Sequence, residues 1–209
     1  MRILFLGDVV GISGCSKIMN NLLDQIKKNK IDFVIVNAEN SADSGVGLTK
    51  EICEDFFKCG VNVITTGNHV WDQKEIMNFI DKEKRLLRPK NLFEPSPGSG
   101  FEVYENEQGV KVGVLNLMGN VFMKKCEDIF KASKEFINKY QLKEDYDFLV
   151  VDVHGEITSE KNAIGHFFDG KATLVVGTHT HIPTNDARLL NNGTGYQTDA
   201  GMCGDYDSV

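Results

Sequence analysis

The apolar positions follow two alternating patterns. Short runs rich in β-branched residues recur at Arg2–Leu6, Asp32–Ala38, Val61–Thr66, Phe101–Tyr104, Lys111–Leu117, Tyr146–Val153, Thr173–Gly177 and Gly195–Thr198. Their length and composition predict strands, several of them buried. Between them, apolar residues repeat at helical spacing. In Cys15–Asn29, Ile18, Leu22 and Ile26 recur every fourth residue, with Met19 and Leu23 beside them. Thr49 is placed to cap a helix carrying Ile52, Phe56 and Phe57, with Gly60 as its stop. Asp72–Asp81, Asp128–Lys139 and Ser159–Phe168 predict three more helices, the last with Thr158 as candidate cap. Ser41–Gly47 and Pro89–Gly100 read as loops, and Glu105–Gly109 as a polar hairpin loop. Strands alternating with helices predict an α/β fold with much parallel pairing. With no internal repeat and no linker, the expectation is one domain over residues 1–209.

Composition narrows the classes. A chain of 209 residues can bury a full core, roughly 70% of the surface that its unfolded form exposes. The formal net charge of −7 argues against broad nucleic-acid binding, which needs basic surface. It leaves room for a small phosphate ester, because bound metal ions supply positive charge locally. The five cysteines are irregularly spaced and include no CxxC pair. They read as core filler in a reducing compartment, not as a disulfide framework or a zinc knot. The N-terminal apolar run stops at Asp8, and no apolar stretch approaches a membrane span. The expectation is a soluble cytoplasmic protein with no membrane partner.

Candidate chemistry centres on Val175–Pro183 (VVGTHTHIP), where a buried run meets Gly177, read as the turn, and then His179 and His181. At a strand end, residues i and i+2 face the same way, roughly 6.6 Å apart. Two such imidazoles suit a pair of metal ions spaced about 3.5–4 Å; two exposed loop histidines are the plainer alternative. The other strands repeat the theme, ending at Asp8, at Glu39-Asn40, at Asn68-His69 and at His154. Ligand sites of open α/β sheets lie outside the carboxyl ends of the strands. Any one of these residues alone could be a turn or core residue; together, at successive strand ends, they point to one site. The N and O donors suit Fe, Mn, Zn or Co. His166, mid-helix, reads as structural. Gly7–Gly11 (GDVVG) lacks both the Lys-Ser/Thr ending of a P-loop and the spacing of a dinucleotide fingerprint.

Gly7-Asp8, Gly67-Asn68-His69 and Gly177–His181 (GTHTH) resemble the calcineurin-like metallophosphoesterases. GDVVG, Asn37–Asn40 (NAEN), Gly67–Asp72 (GNHVWD), Thr158–Lys161 (TSEK) and Thr198–Ser208 resemble their bacterial YmdB-like branch. The resemblance implies a four-layer α/β/β/α sandwich with a two-metal site at one edge. It implies that Asp8, Glu39, Asn40 and His181 hold one metal ion. Asn68, His154 and His179 then hold the other, with Glu39 bridging and His69 as the unbound general acid. It further implies Fe, with Mn or Zn as alternatives, a small phosphodiester substrate such as a cyclic nucleotide, and a homo-oligomer; the residues themselves leave RNA ends open as another substrate. The branch commonly continues some way past the position of Val209, so the expectation is either a chain cut at its C-terminus or a short member of the branch. A phosphomonoesterase or nucleotidase on the same metals, and a non-catalytic nucleotide-sensing protein, are the competing functions.

Overall fold

The computed structural model describes residues 1–106 and 108–207. In order, the elements are β1 (Ile3–Leu6), β2 (Asp8–Val9), α1 (Gly11–Asn29), β3 (Phe33–Asn37), α2 (Lys50–Lys58), β4 (Val63–Thr65), β5 (Phe101–Glu105), β6 (Lys111–Met118), α3 (Ile129–Lys139), β7 (Phe148–His154), α4 (Thr158–Phe167), β8 (Leu174–Thr178), β9 (Arg188–Leu189), β10 (Gly195–Gln197) and β11 (Met202–Cys203). Glu107 of the hairpin loop and Ser208 of the last motif lie outside the described residues.

Two sheets form the centre. One is parallel, in the order β1-β3-β4; the other runs β5-β6-β7-β8-β10-β9, with β6, β7, β8 and β10 parallel. Side chains of a strand alternate between its two faces, and that alternation builds the layers. On β3, Val34 and Val36 pack with Ile18 and Leu22 of α1 and Phe56 of α2. The intervening Phe33 and Ile35 pack with Val112, Val114 and Val150 of the other sheet. That sheet turns Leu115, Leu149, Val151 and Val153 outward, against Ile129 and Phe136 of α3 and Ile164 of α4. The result is the α/β/β/α sandwich. Parallel register then aligns the carboxyl ends: Leu6 lies opposite Val36, Asn37 opposite Thr65, and His154 opposite Thr178. The residues that follow these positions share one edge.

Local signals worked where they were chemical. Thr49 caps α2 by accepting from the Ile52 amide at 3.3 Å, and Gly60 supplies the left-handed stop at φ 102°. Asp128 caps α3 through the Lys131 amide. Four readings need correction. α1 begins at Gly11, four residues before Cys15. Asp72–Asp81 makes only a 3-10 turn at Lys74–Asn78, because no side chain caps it and a nucleus that short is unfavourable by itself. Thr158 is the first residue of α4; the cap position is Ile157, which makes no side-chain cap. His166 is exposed near the end of α4, not packed. The two-residue strands β2, β9 and β11 are too short to show any periodicity. The five cysteines are free: three are buried and two half-buried.

Ile35 lies fully buried between the two sheets. Its truncation in Ile35→Ala is expected to cost roughly 2–5 kcal/mol, read as a lower midpoint in urea unfolding.

Candidate metal centre and active site

Glu39 and Asn40 follow β3, Asn68 and His69 follow β4, His154 ends β7, and His179 and His181 follow β8. Asp8 opens β2, which is tied in parallel to β11. All of these residues except His69 take part in one cluster of side-chain contacts. The Nε2 of buried His154 lies 3.0 Å from Glu39 Oε1, 2.9 Å from Asn68 Oδ1 and 3.1 Å from His179 Nδ1. Asp8 reaches the same centre, accepting from the His179 amide at 2.9 Å and sitting 3.8 Å from His154 Nδ1 and 4.0 Å from His181 Nε2. Asn40 Nδ2 lies 3.3 Å from Glu39 Oε1 and 3.1 Å from His181 Nε2.

A supporting network decides the tautomer of His154. Asp152 is fully buried and accepts from Thr65 Oγ1 at 2.6 Å, Thr178 Oγ1 at 2.7 Å and Asn37 Nδ2 at 3.0 Å. The Thr178 hydroxyl thus directs its proton to Asp152 and accepts from His154 Nδ1 at 3.0 Å. Nε2 is left facing a carboxylate, an amide oxygen and a second imidazole nitrogen. Acceptors at such distances need a cation among them, either a proton or a metal ion. Two further atoms fit the second possibility: Asp8 Oδ1 and Asn40 Oδ1 are buried with no hydrogen-bond partner. Glu39, His154 and His179 form a metal-capable group with all three ligand atoms within 4.8 Å of one another. A Cβ on Gly67 would strike both the His154 ring and the Glu39 carboxylate, so only glycine lets β4 approach the cluster.

Titration follows the same crowding. Burial, reinforced by the neighbouring Glu39, raises Asp8 to about 7. Burial also favours a neutral Glu39, but His154 and the His69 amide outweigh it and bring that carboxyl to about 2. Against burial, Glu39 and Asp8 hold His154 up at about 9. Burial and the charge on His154 press His179 down to about 4. In the protein alone a proton on His154 offsets part of the carboxylate charge, and a divalent ion would displace it.

His179 and His181 do not keep the extended geometry of a strand end. β8 runs on through Gly177 to Thr178, and the chain turns at the histidines, with φ of 102° and 64°. Gly177 serves close approach, since a Cβ there would strike the Thr198 carbonyl. Strained backbone of this kind persists only when its surroundings over-determine it. The surroundings here are a buried ion pair. Lys161 Nζ lies 2.7 Å from Asp199 Oδ2, and that oxygen also accepts from the Thr180 amide at 3.2 Å and the Thr180 hydroxyl at 2.8 Å. Thr180, between the two histidines, is thereby pinned.

His69 sits at the rim. Its amide donates to Glu39 Oε2 at 3.0 Å, and its Nδ1 is 2.6 Å from Asp72, which Lys124 also contacts at 3.3 Å. Four participants escaped the sequence reading: Asp72, Asp152, Glu156 (3.1 Å from His179 Nε2) and the Lys161–Asp199 pair. The motifs GNHVWD, TSEK and Thr198–Ser208 contained three of these residues, but a partner 38 residues away carries no local spacing signal.

Residues 4–209 match the family described as YmdB-like protein. The chain belongs to the YmdB-like protein family. It is 44% identical over 209 residues, 78% of the relative's length, to a 2′,3′-cyclic-nucleotide 2′-phosphodiesterase of Bacillus subtilis. A crystal structure of a hypothetical protein from Thermus thermophilus superposes with a TM-score of 0.92 at 39% identity, over all of this chain and 79% of that one. The structure of a novel phosphatase from Mycoplasma pneumoniae gives 0.87 at 42% identity, over 97% of this chain and 72% of that one. The fold is of the metallophosphoesterase type, which implies divalent metal ions, and the Glu39–His154–His179 group is a place for one. The YmdB-like chain is an enzyme, a phosphodiesterase. No helix among the described residues is long and apolar enough to cross a membrane.

Asp199→Asn leaves the Lys161 ammonium buried beside a neutral amide. The expected loss is roughly 3–5 kcal/mol, read by thermal unfolding of the metal-free protein, with Lys161→Met/Asp199→Asn recovering part of it.

Proposed function

We propose that the chain is a binuclear-metal phosphodiesterase acting on small phosphodiesters, 2′,3′-cyclic nucleotides among them. The observation that carries this is the convergence of His154 Nε2, Glu39 Oε1, Asn68 Oδ1 and His179 Nδ1 beside the orphaned oxygens of Asp8 and Asn40. Asp8, Glu39, Asn40 and His181 would hold one ion; Glu39, Asn68, His154 and His179 would hold the other. When bound, two such ions supply Lewis acidity and a nucleophile derived from water near neutral pH. The donor set of N and O suits iron, with manganese or zinc as alternatives.

The chain's own part is positioning and proton transfer. His69 is not among the converging ligands, and Asp72 occupies its Nδ1. Its Nε2 is therefore the atom that delivers a proton to the leaving alkoxide as the P–O bond breaks; an acid so placed contributes about 10²–10⁴-fold. Asn40 and Asn68 are neutral ligands, which limits negative charge where an anionic phosphate must bind. The Bacillus relative's name supports cyclic nucleotides as substrates. The name "phosphatase" on the Mycoplasma structure supports a second reading, monoester hydrolysis at the same centre. The free cysteines agree with a reducing cytoplasm. Self-association rests on the family resemblance.

Metal analysis combined with hydrolysis of bis-p-nitrophenyl phosphate and p-nitrophenyl phosphate tests the reading. About two ions per chain are expected, with the bis ester preferred and activity lost on chelation. His69→Ala should keep the metal and lose turnover by about 10²–10⁴; loss of metal as well would make His69 a ligand. Asp72→Asn is expected to lower kcat with KM for the bis ester little changed, because it disturbs the orientation of the acid and not the ligands.

A further inference from the structure

Beside the cluster lies a cavity of about 170 Å³ that no step above uses. Asn68 forms part of its wall, and Asn68 Oδ1 is 2.9 Å from His154 Nε2, so the cavity and the cluster share this residue. Two larger grooves against α1 share no residue with the cluster. Pockets for a whole small ligand usually span about 300–1,000 Å³; this one has room for a part of a substrate only. The wall is mostly apolar, with Trp71, Phe93 and Leu92, and Lys124 and Lys125 supply cationic groups.

Phe93 lines this cavity and is 49% exposed, so part of its ring is open to a ligand. Its loop is not slack. The guanidinium of Arg88, 4% exposed, donates to the carbonyls of Pro89 at 2.9 Å, Lys90 at 3.2 Å, Ser96 at 3.1 Å and Pro97 at 3.1 Å. Four carbonyls on one buried cation tie together the two ends of the loop that carries Phe93. Trp71, also on the wall, packs partly into the helix-side core. Trp71 and Phe93 thus put two aromatic groups on the wall of one cavity beside the cluster.

We propose that this cavity is the base subsite. It would take the heteroaromatic base of a nucleoside phosphate, stacked against Trp71 and Phe93, while the phosphate lies on the cluster and Lys125, beside the Asp72-paired Lys124, lends positive charge to a chain of net charge −7. The proposal rests on the phosphodiesterase reading and adds what that reading lacks, the feature that distinguishes a nucleotide from any other diester.

Trp71 is the single tryptophan of the chain, so its emission reports occupancy directly. A nucleoside 3′-monophosphate titrated into metal-loaded enzyme is expected to change that emission saturably, and ribose 3-phosphate, which lacks the base, is not. Stacking on one ring is sequence-tolerant and strong enough that Phe93→Ala, an exposed position, should weaken the titration about tenfold. The same variant should raise KM for a 2′,3′-cyclic nucleotide by a similar factor, and clearly more than it raises KM for base-free methyl riboside 2,3-cyclic phosphate. Equal responses to the nucleotide and to ribose phosphate, or a Phe93→Ala titration like that of the parent, would overturn the subsite. Failure of the phosphodiesterase reading shows separately, as a parent enzyme that hydrolyses neither cyclic ester.

Discussion

A buried imidazole ringed by acceptors is the constraint from which the site follows. His154 is wholly inside the protein, with Glu39 3.0 Å and Asp8 3.8 Å from its ring nitrogens. Carboxylates in such a place are tolerable only when a cation offsets them. The Asp152–Thr178 relay fixes which nitrogen of His154 faces the centre, and that choice makes the other donor groups meaningful. Remove the relay and Nε2 loses its orientation. Remove Gly67 and the strand carrying Asn68 and His69 cannot come close.

The architecture serves this edge. A sandwich of two sheets lets Asn37 on one reach Asp152 on the other at 3.0 Å, so the two halves of the cluster are registered by a hydrogen bond across the middle of the molecule. The histidines of GTHTH come from a strained turn, not from a strand. The Lys161–Asp199 pair holds that turn from behind, through Thr180. Buried ion pairs are weak contributors to stability compared with apolar packing. Their use here is to define one conformation where the chain by itself prefers others. Arg88 does comparable work for the loop that carries Phe93.

Much of this was legible in the chain alone. The strand and helix pattern, the α/β class, the capping by Thr49, and the gathering of Asp8, Glu39, Asn40, Asn68, His154, His179 and His181 at strand ends all follow from local periodicity and from the rule that parallel strands share a carboxyl edge. These are short-range facts, written in residues two to four positions apart. Tertiary structure alone decided the rest. Whether Asp72–Asp81 became a helix depended on a cap that the fold does not provide. The left-handed backbone at His179 and His181 depended on Asp199, and the tautomer of His154 on Thr178 and Asp152. The closing of the loop at residues 89–97 depended on Arg88. The contacts that set the histidines join residues far apart in the chain, and a contact at long separation leaves no period in the sequence by which to read it.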